Sequence, residues 1–264
     1  MNDSSPKLLN HLDLLAMKQA GEKIACLTAY DASFSEMLDQ AGVDLIMVGD
    51  SLGTVVQGHP ITVYVTVDEM VYHSRCVARG RQRALLVTDL PFMCYATLEQ
   101  AAQSAARLIQ QGYAQMVKLE GGGQRIEIVR HLVGLGIPVC GHLGLLPQSI
   151  HQLGRYRKQG KDETSAAAIL ADAQALQQAG ASLLVLECVP SELAKTITEK
   201  LTIPVIGIGA GADCDGQVLV LYDMLGISKG YIPAFSRNFM QSADSIHEAV
   251  KNYVSAIRSG QFPQ

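Results

Sequence analysis

The segment IQQGYAQMVKLEGGG, residues 109–123, changes character twice within a few positions. Gln110-Gln111-Gly112 closes a helical pattern, because glycine accepts the left-handed conformation that ends a helix. A short apolar run follows and stops at Lys118, Leu119, Glu120 and three glycines. In a strand successive side chains alternate faces, so Lys118 and Glu120 share one face and Leu119 takes the other. Met116 and Val117 mark the strand as buried, where an unpartnered charge is costly. Two opposite charges at the end of a buried strand therefore point to a site rather than to surface.

The same punctuation recurs along the chain. Gln19-Ala20-Gly21, Gln40-Ala41-Gly42 and Gln178-Ala179-Gly180 each close an amphipathic pattern, and IACLTAY, VDLIMVG and ASLLVLE follow them. These runs are apolar on both faces, as parallel strands covered by helices must be. Eight strands are predicted, near residues 24–29, 45–49, 84–88, 115–119, 137–141, 182–187, 203–208 and 225–227. Helices are predicted near 32–41, 67–79, 98–111, 123–135, 163–179, 191–200 and 214–222, with a last one near 242–258. An N-terminal helix is expected to be capped by Ser5, with Pro6 at its first position. Such alternation predicts an α/β fold, a (β/α)8 TIM-type barrel with an N-terminal helix, as a single domain over 1–264. The longer connections are 51–66 and 142–162.

Composition narrows the partners. The 264 residues are 48% hydrophobic and 17% charged, enough for one large core. A net charge of −4 argues against nucleic acid or an anionic membrane. No apolar run approaches the ~20 residues that span a bilayer, and the first residues lack the uninterrupted apolar segment of a signal peptide. Six scattered cysteines without a CxxC pair argue against a disulfide framework or zinc site, and for the reducing cytoplasm.

In a barrel of this kind the active site lies where the strands end. The ends read Tyr30-Asp31, Asp50-Ser51, Asp89-Leu90, Lys118-Leu119-Glu120, Gly141-His142, Glu187-Cys188 and Gly207-Ile208-Gly209-Ala210-Gly211. Several carboxylates, a lysine and a histidine would converge there, and such a cluster is a functional candidate. Crowded carboxylates need a cation, and hard oxygen donors suit Mg2+ best. The blander readings are specific too. Asp31 before ASFSEML suits a helix cap, His142 reads first as a hydrogen-bonded core histidine, and the glycine-rich turn at 207–211 is a weak phosphate signal. Asp50, Asp89 and Glu120 are harder to explain away together, since each would need its own structural excuse.

At these residues the chain resembles the ketopantoate hydroxymethyltransferase family. The matching stretches are LTAYDASF, VGDSLGTVVQGH, TDLPFMCYAT, VKLEGG, IPVCGHLGLLPQS, LLVLECVP and IPVIGIGAG with its CDGQVLV continuation, spread over about residues 24 to 240. The resemblance implies a (β/α)8 barrel, assembled as a homodecamer, that moves a hydroxymethyl group from 5,10-methylenetetrahydrofolate to 3-methyl-2-oxobutanoate. The product would be 2-dehydropantoate, in pantothenate biosynthesis, formed through a Mg-stabilised enolate. It further implies a Mg2+ site at Asp50, Asp89 and Glu120. Substrate contacts would come from Asp50, Ser51, Asp89 and Lys118, with His142 beside them, and Glu187 would be the general base. Tyr64, Arg155, Lys158, Tyr222 and Ala234 depart from the family pattern, and none of them is a motif acid. Two rivals remain: a carbon–carbon lyase or phosphonomutase on the same barrel, and a non-catalytic binding barrel. The first would carry a cysteine in the loop after the fourth strand, where this chain has Glu120-Gly121-Gly122-Gly123.

Overall fold

The computed structural model describes residues 7–229 and 232–263. Its eight strands are β1 Ile24–Thr28, β2 Leu45–Val48, β3 Leu85–Asp89, β4 Met116–Glu120, β5 Val139–Gly144, β6 Leu183–Glu187, β7 Val205–Ile208 and β8 Gly216–Leu219. All neighbours pair in parallel, and β8 pairs with β1, which closes the barrel. The helices are α1 His11–Ala20, α2 Ala32–Gln40, α3 Leu52–Val55, α4 Val67–Gly80, α5 Leu98–Gln110, α6 Arg125–Gly134, α7 Ile150–Leu153, α8 Glu163–Gln178, α9 Ser191–Lys200, α10 Leu221–Met224 and α11 Ile246–Arg258. The (β/α)8 barrel read from the sequence is the fold observed.

Alternation sorts the strand residues into two cores. Inside the barrel, Ile24, Cys26, Leu45, Met47, Leu85, Val87, Met116, Cys140, Leu183, Val185, Ile206 and Val218 form one apolar cluster. Their neighbours of opposite parity, such as Leu27, Leu86, Val117, Leu119 and Leu184, pack outward against the helices. The interior parity continues to the strand ends, where the residues are Asp89, Lys118, Glu120, His142 and Glu187. The apolar filling below thus keeps water out from beneath the charged layer above it.

The opposite end of the barrel is closed by α1. Leu14 is fully buried in the interior cluster, with Leu9 and Met17 packed beside it. Asn10 caps this helix by accepting N–H groups of Leu12 and Asp13, and Asp13 returns the bond to the Asn10 N–H at 2.9 Å. The expected cap at Ser5 and Pro6 falls outside the described residues. Lys18 ties the helix down through Asp215 at 2.8 Å and the Thr198 carbonyl at 2.9 Å.

One strand expectation fails. The eighth strand is 216–219 rather than 225–227, and the helix expected over 214–222 is a single turn at Leu221–Met224. CDGQVLVLYDM carries apolar residues at spacings a helix would also use. Long-range pairing decides against it: Gly216 to Leu219 pair with Ile24 to Leu27, and the Tyr253 hydroxyl donates to the carbonyls of Cys26 and Gln217. Closure of the ring overrides the local pattern. The last helix likewise starts at Ile246, capped by Ser245, after a short 3-10 turn at Phe239–Ser242.

Leu14→Ala should destabilise the protein by about 2–5 kcal/mol through the cavity left beneath the barrel. Leu12→Ala, at a side chain 60% exposed, should stay within about 0.5 kcal/mol of wild type. Urea unfolding midpoints measure both.

Candidate active site

β4 delivers Lys118 and Glu120 to the barrel interior, and the paired register sets Asp89 of β3 beside Lys118 and His142 of β5 beside Glu120. The Lys118 ammonium meets Asp89 Oδ2 at 2.8 Å, with both side chains about 95% buried. Burial alone would lower the lysine's pKa, but Asp89, Glu120 and Asp50 outweigh it and hold it above the ordinary lysine range. Lys118 therefore stays charged.

Asp50 arrives differently. It lies two residues past the end of β2, off the strand alternation, and its backbone N–H donates to Asp89 Oδ2 at 3.2 Å. Gly49 permits this approach: a Cβ there would stand 2.9 Å from Ser51 Oγ and 3.5 Å from Asp89 Oδ2. Ser51 Oγ is shared with the Tyr30 hydroxyl at 2.8 Å. Burial first, then Asp89 and Glu120, pushes the Asp50 carboxyl well above the usual range. An acid so placed is poised to exchange its proton for a cation.

His142 stands between two carboxylates. Its Nδ1 lies 3.6 Å from Glu120 Oε1 and its Nε2 3.2 Å from Glu187 Oε2. Neither contact has hydrogen-bond geometry, and both ring nitrogens are buried without a hydrogen-bond partner. Burial would lower the imidazole's pKa; Glu120 and Glu187 reverse this and push it up to about 9. Glu187 is the more open of the two acids, its side chain 16% exposed against 3% for Glu120.

Asp50, Ser51, Asp89, Lys118, Glu120, His142 and Glu187 thus gather at one end of the barrel. Asp31 caps α2 by accepting the Phe34 N–H at 2.9 Å. The glycine-rich turn after β7 is accounted for by packing, because Gly209 has φ +62° and the Phe235 ring occupies the space a Cβ would need.

The donor set fits a hard dication. With all four carboxyls ionised, Asp50, Asp89, Glu120 and Glu187 against Lys118 and a protonated His142 leave a formal excess of two negative charges, one of which the proton on Asp50 relieves when no cation is bound. Asp89 Oδ1 is buried and has no hydrogen-bond partner. Yet among the described residues no three His, Cys, Asp or Glu side chains are grouped closely enough to ligate one ion. Both Glu120 oxygens are engaged: Oε2 accepts the Gln148 N–H at 3.0 Å and Oε1 faces His142. Asp50 and Asp89 therefore suit direct ligation, and Glu120 suits a contact through water, which matches the habit of Mg2+ of keeping several waters beside one or two carboxylates.

Sequence reading did not single out Gln148 or Tyr95. Gln148, in the turn after β5, donates its Nε2–H groups to Asp50 Oδ2 at 2.9 Å and to the Leu90 carbonyl at 3.0 Å. Its Oε1 accepts from the Tyr95 hydroxyl at 2.5 Å. Tyr30 supports Ser51 from β1's end. Beside this wall a cavity of about 820 Å³ opens between the loops after β3, β4 and β5, and Tyr95, Glu120 and Gln148 line it.

Fold and cluster together define a class: a (β/α)8 barrel with an acid-rich active site at the C-terminal ends of its strands. Sequence comparison narrows it. The family model for ketopantoate hydroxymethyltransferase matches residues 9–264. The 3-methyl-2-oxobutanoate hydroxymethyltransferase of Alkalilimnicola ehrlichii is 60% identical over 250 residues, 95% of this chain and 90% of that protein. That of Methylococcus capsulatus is 58% identical over 251 residues, 95% of this chain and 93% of that protein. The chain belongs to the ketopantoate hydroxymethyltransferase family. Among solved structures, phosphonopyruvate hydrolase aligns with a TM-score of 0.63 at 11% identity, covering 83% of this chain and 84% of that one. 2,3-Dimethylmalate lyase, a PEP mutase/isocitrate lyase superfamily member, gives 0.60 at 15% identity, covering 84% and 81%. At such identities the likeness concerns the barrel alone.

The His142 pKa has a consequence for stability. A histidine raised from about 6.5 unfolded to about 9 folded contributes stability that is fully present below about pH 6.5. That contribution should disappear as pH rises through about 9. In metal-free protein, unfolding free energy should fall over that window, and His142→Gln should flatten the fall.

Proposed function

We propose that this protein transfers a hydroxymethyl group from 5,10-methylenetetrahydrofolate to 3-methyl-2-oxobutanoate, giving 2-dehydropantoate in pantothenate biosynthesis. The observation that carries the reading is the buried layer of Lys118, Asp89, Asp50 and Glu120 with the more open Glu187 at its rim. Family membership supplies the substrate, and the layer supplies a chemistry for it.

A 2-oxo acid presents a carboxylate and an adjacent ketone. The permanently charged Lys118 offsets the substrate carboxylate, and Ser51 Oγ, held by Tyr30, offers a second polar contact. Mg2+ held by Asp50 and Asp89, with Glu120 through water, would polarise the ketone and stabilise negative charge developing on its oxygen. Glu187 removes the C3 proton; a positioned base contributes about 10² to 10⁴ in rate. His142, whose ring nitrogens lack hydrogen-bond partners, can donate to a substrate oxygen while its charge offsets the repulsion between Glu120 and Glu187 on either side. The enolate carbon then bonds to the methylene carbon of the folate donor; both carbon–nitrogen bonds of that methylene break, water supplies the hydroxyl, and tetrahydrofolate leaves with a proton on each freed nitrogen. The apolar layer beneath the site excludes water, and that strengthens each of these interactions.

We infer that the protein acts in the cytoplasm as a homodecamer. No helix among the described residues is long and apolar enough to cross a membrane, and the six free cysteines suit a reducing compartment.

With Mg2+ and no folate, solvent deuterium should enter C3 of the oxo acid, and Glu187→Gln should slow this exchange at least about 100-fold. Exchange at the wild-type rate in Glu187→Gln would remove Glu187 from the base role. Asp50→Ala should abolish the dependence of exchange on Mg2+ concentration, which an unchanged titration would contradict.

A further inference from the structure

Gln148 joins the ends of three strands from a turn that follows a fourth. Its backbone N–H holds Glu120, its carboxamide N–H groups hold Asp50 and the Leu90 carbonyl, and its carboxamide oxygen takes the Tyr95 hydroxyl proton. It is 5% exposed and Tyr95 7%, so these contacts are made away from bulk water, where each is worth more.

A carboxamide has a direction. With its nitrogen toward Asp50, it anchors Oδ2 and leaves Oδ1 for other partners. Turned over, it would set its oxygen against a carboxylate oxygen and repel it. The Leu90 carbonyl, which only accepts, prevents the reversal, and the Tyr95 hydroxyl, donating to Oε1, holds the carboxamide oxygen in place. We propose that Gln148 is a positioning residue for the divalent-ion site, orienting Asp50 and Glu120 together, and that Tyr95 acts through it by holding its carboxamide in place. This rests on the reading of Asp50 as an ion ligand. Because Tyr95 and Gln148 also line the 820 Å³ cavity, a molecule entering there meets the back of the same wall.

The test is Mn2+ binding by full-length protein without substrate, with free Mn2+ followed by electron paramagnetic resonance. Gln148→Leu removes the carboxamide at similar size, and Tyr95→Phe removes one oxygen. Partners of ligating carboxylates typically contribute about 10–100-fold in metal affinity, so Gln148→Leu should weaken Mn2+ by that factor. Tyr95→Phe should weaken it less, and should add nothing in the Gln148→Leu background. Circular dichroism and melting temperature confirm that each variant is folded. Folded variants that bind Mn2+ within twofold of wild type would overturn the proposal, as would additive effects of the two substitutions. Wild-type protein that binds no Mn2+ would overturn the ion reading and this one with it; wild-type binding retained in Gln148→Leu overturns this one alone.

Discussion

The buried ion pair of Lys118 and Asp89 is the constraint around which the upper end of the barrel is arranged. Two charges removed from water gain from each other only if geometry and further hydrogen bonds make up the loss of hydration. Asp89 Oδ2 accordingly serves two donors, the ammonium and the Asp50 N–H. The same need draws Asp50 in from a turn, and once Asp50 and Glu120 are present the negative charge exceeds what Lys118 and His142 can balance. A layer so overcharged is poorly suited to mere stability and well suited to holding a dication and an anionic substrate.

Neighbouring carboxylates in this layer are kept distinct by what faces them. Glu120 is enclosed by His142 and the Gln148 N–H, with little exposure. Glu187, at the end of β6, touches only the far side of the same imidazole and keeps an open edge. One histidine therefore faces a closed acid and an accessible one, and only the accessible acid has an edge open to an incoming molecule.

Much of this was legible beforehand, for physical reasons. Lys118, Glu120, Asp89, His142 and Glu187 share the interior parity of their strands, so alternation alone assigns them to one surface. The helix-ending glycines marked where β1, β2, β4 and β6 begin. β8 escaped because four residues beginning with glycine carry too little pattern, and its identity rests on pairing with β1 and β7. Gln148 escaped for a different reason. It lay within a stretch that marked the family resemblance, but its partners are 98, 58, 53 and 28 residues away in the chain, and no local periodicity announces a turn glutamine that crosses three strands.

The helix that seals the lower end of the barrel has an effect on traffic. With Leu14 stoppering one opening and filled layers above it, the barrel is a vessel with a single mouth. Whatever settles on Lys118 must therefore enter and leave through that mouth, because the filled layers and Leu14 close every route from below.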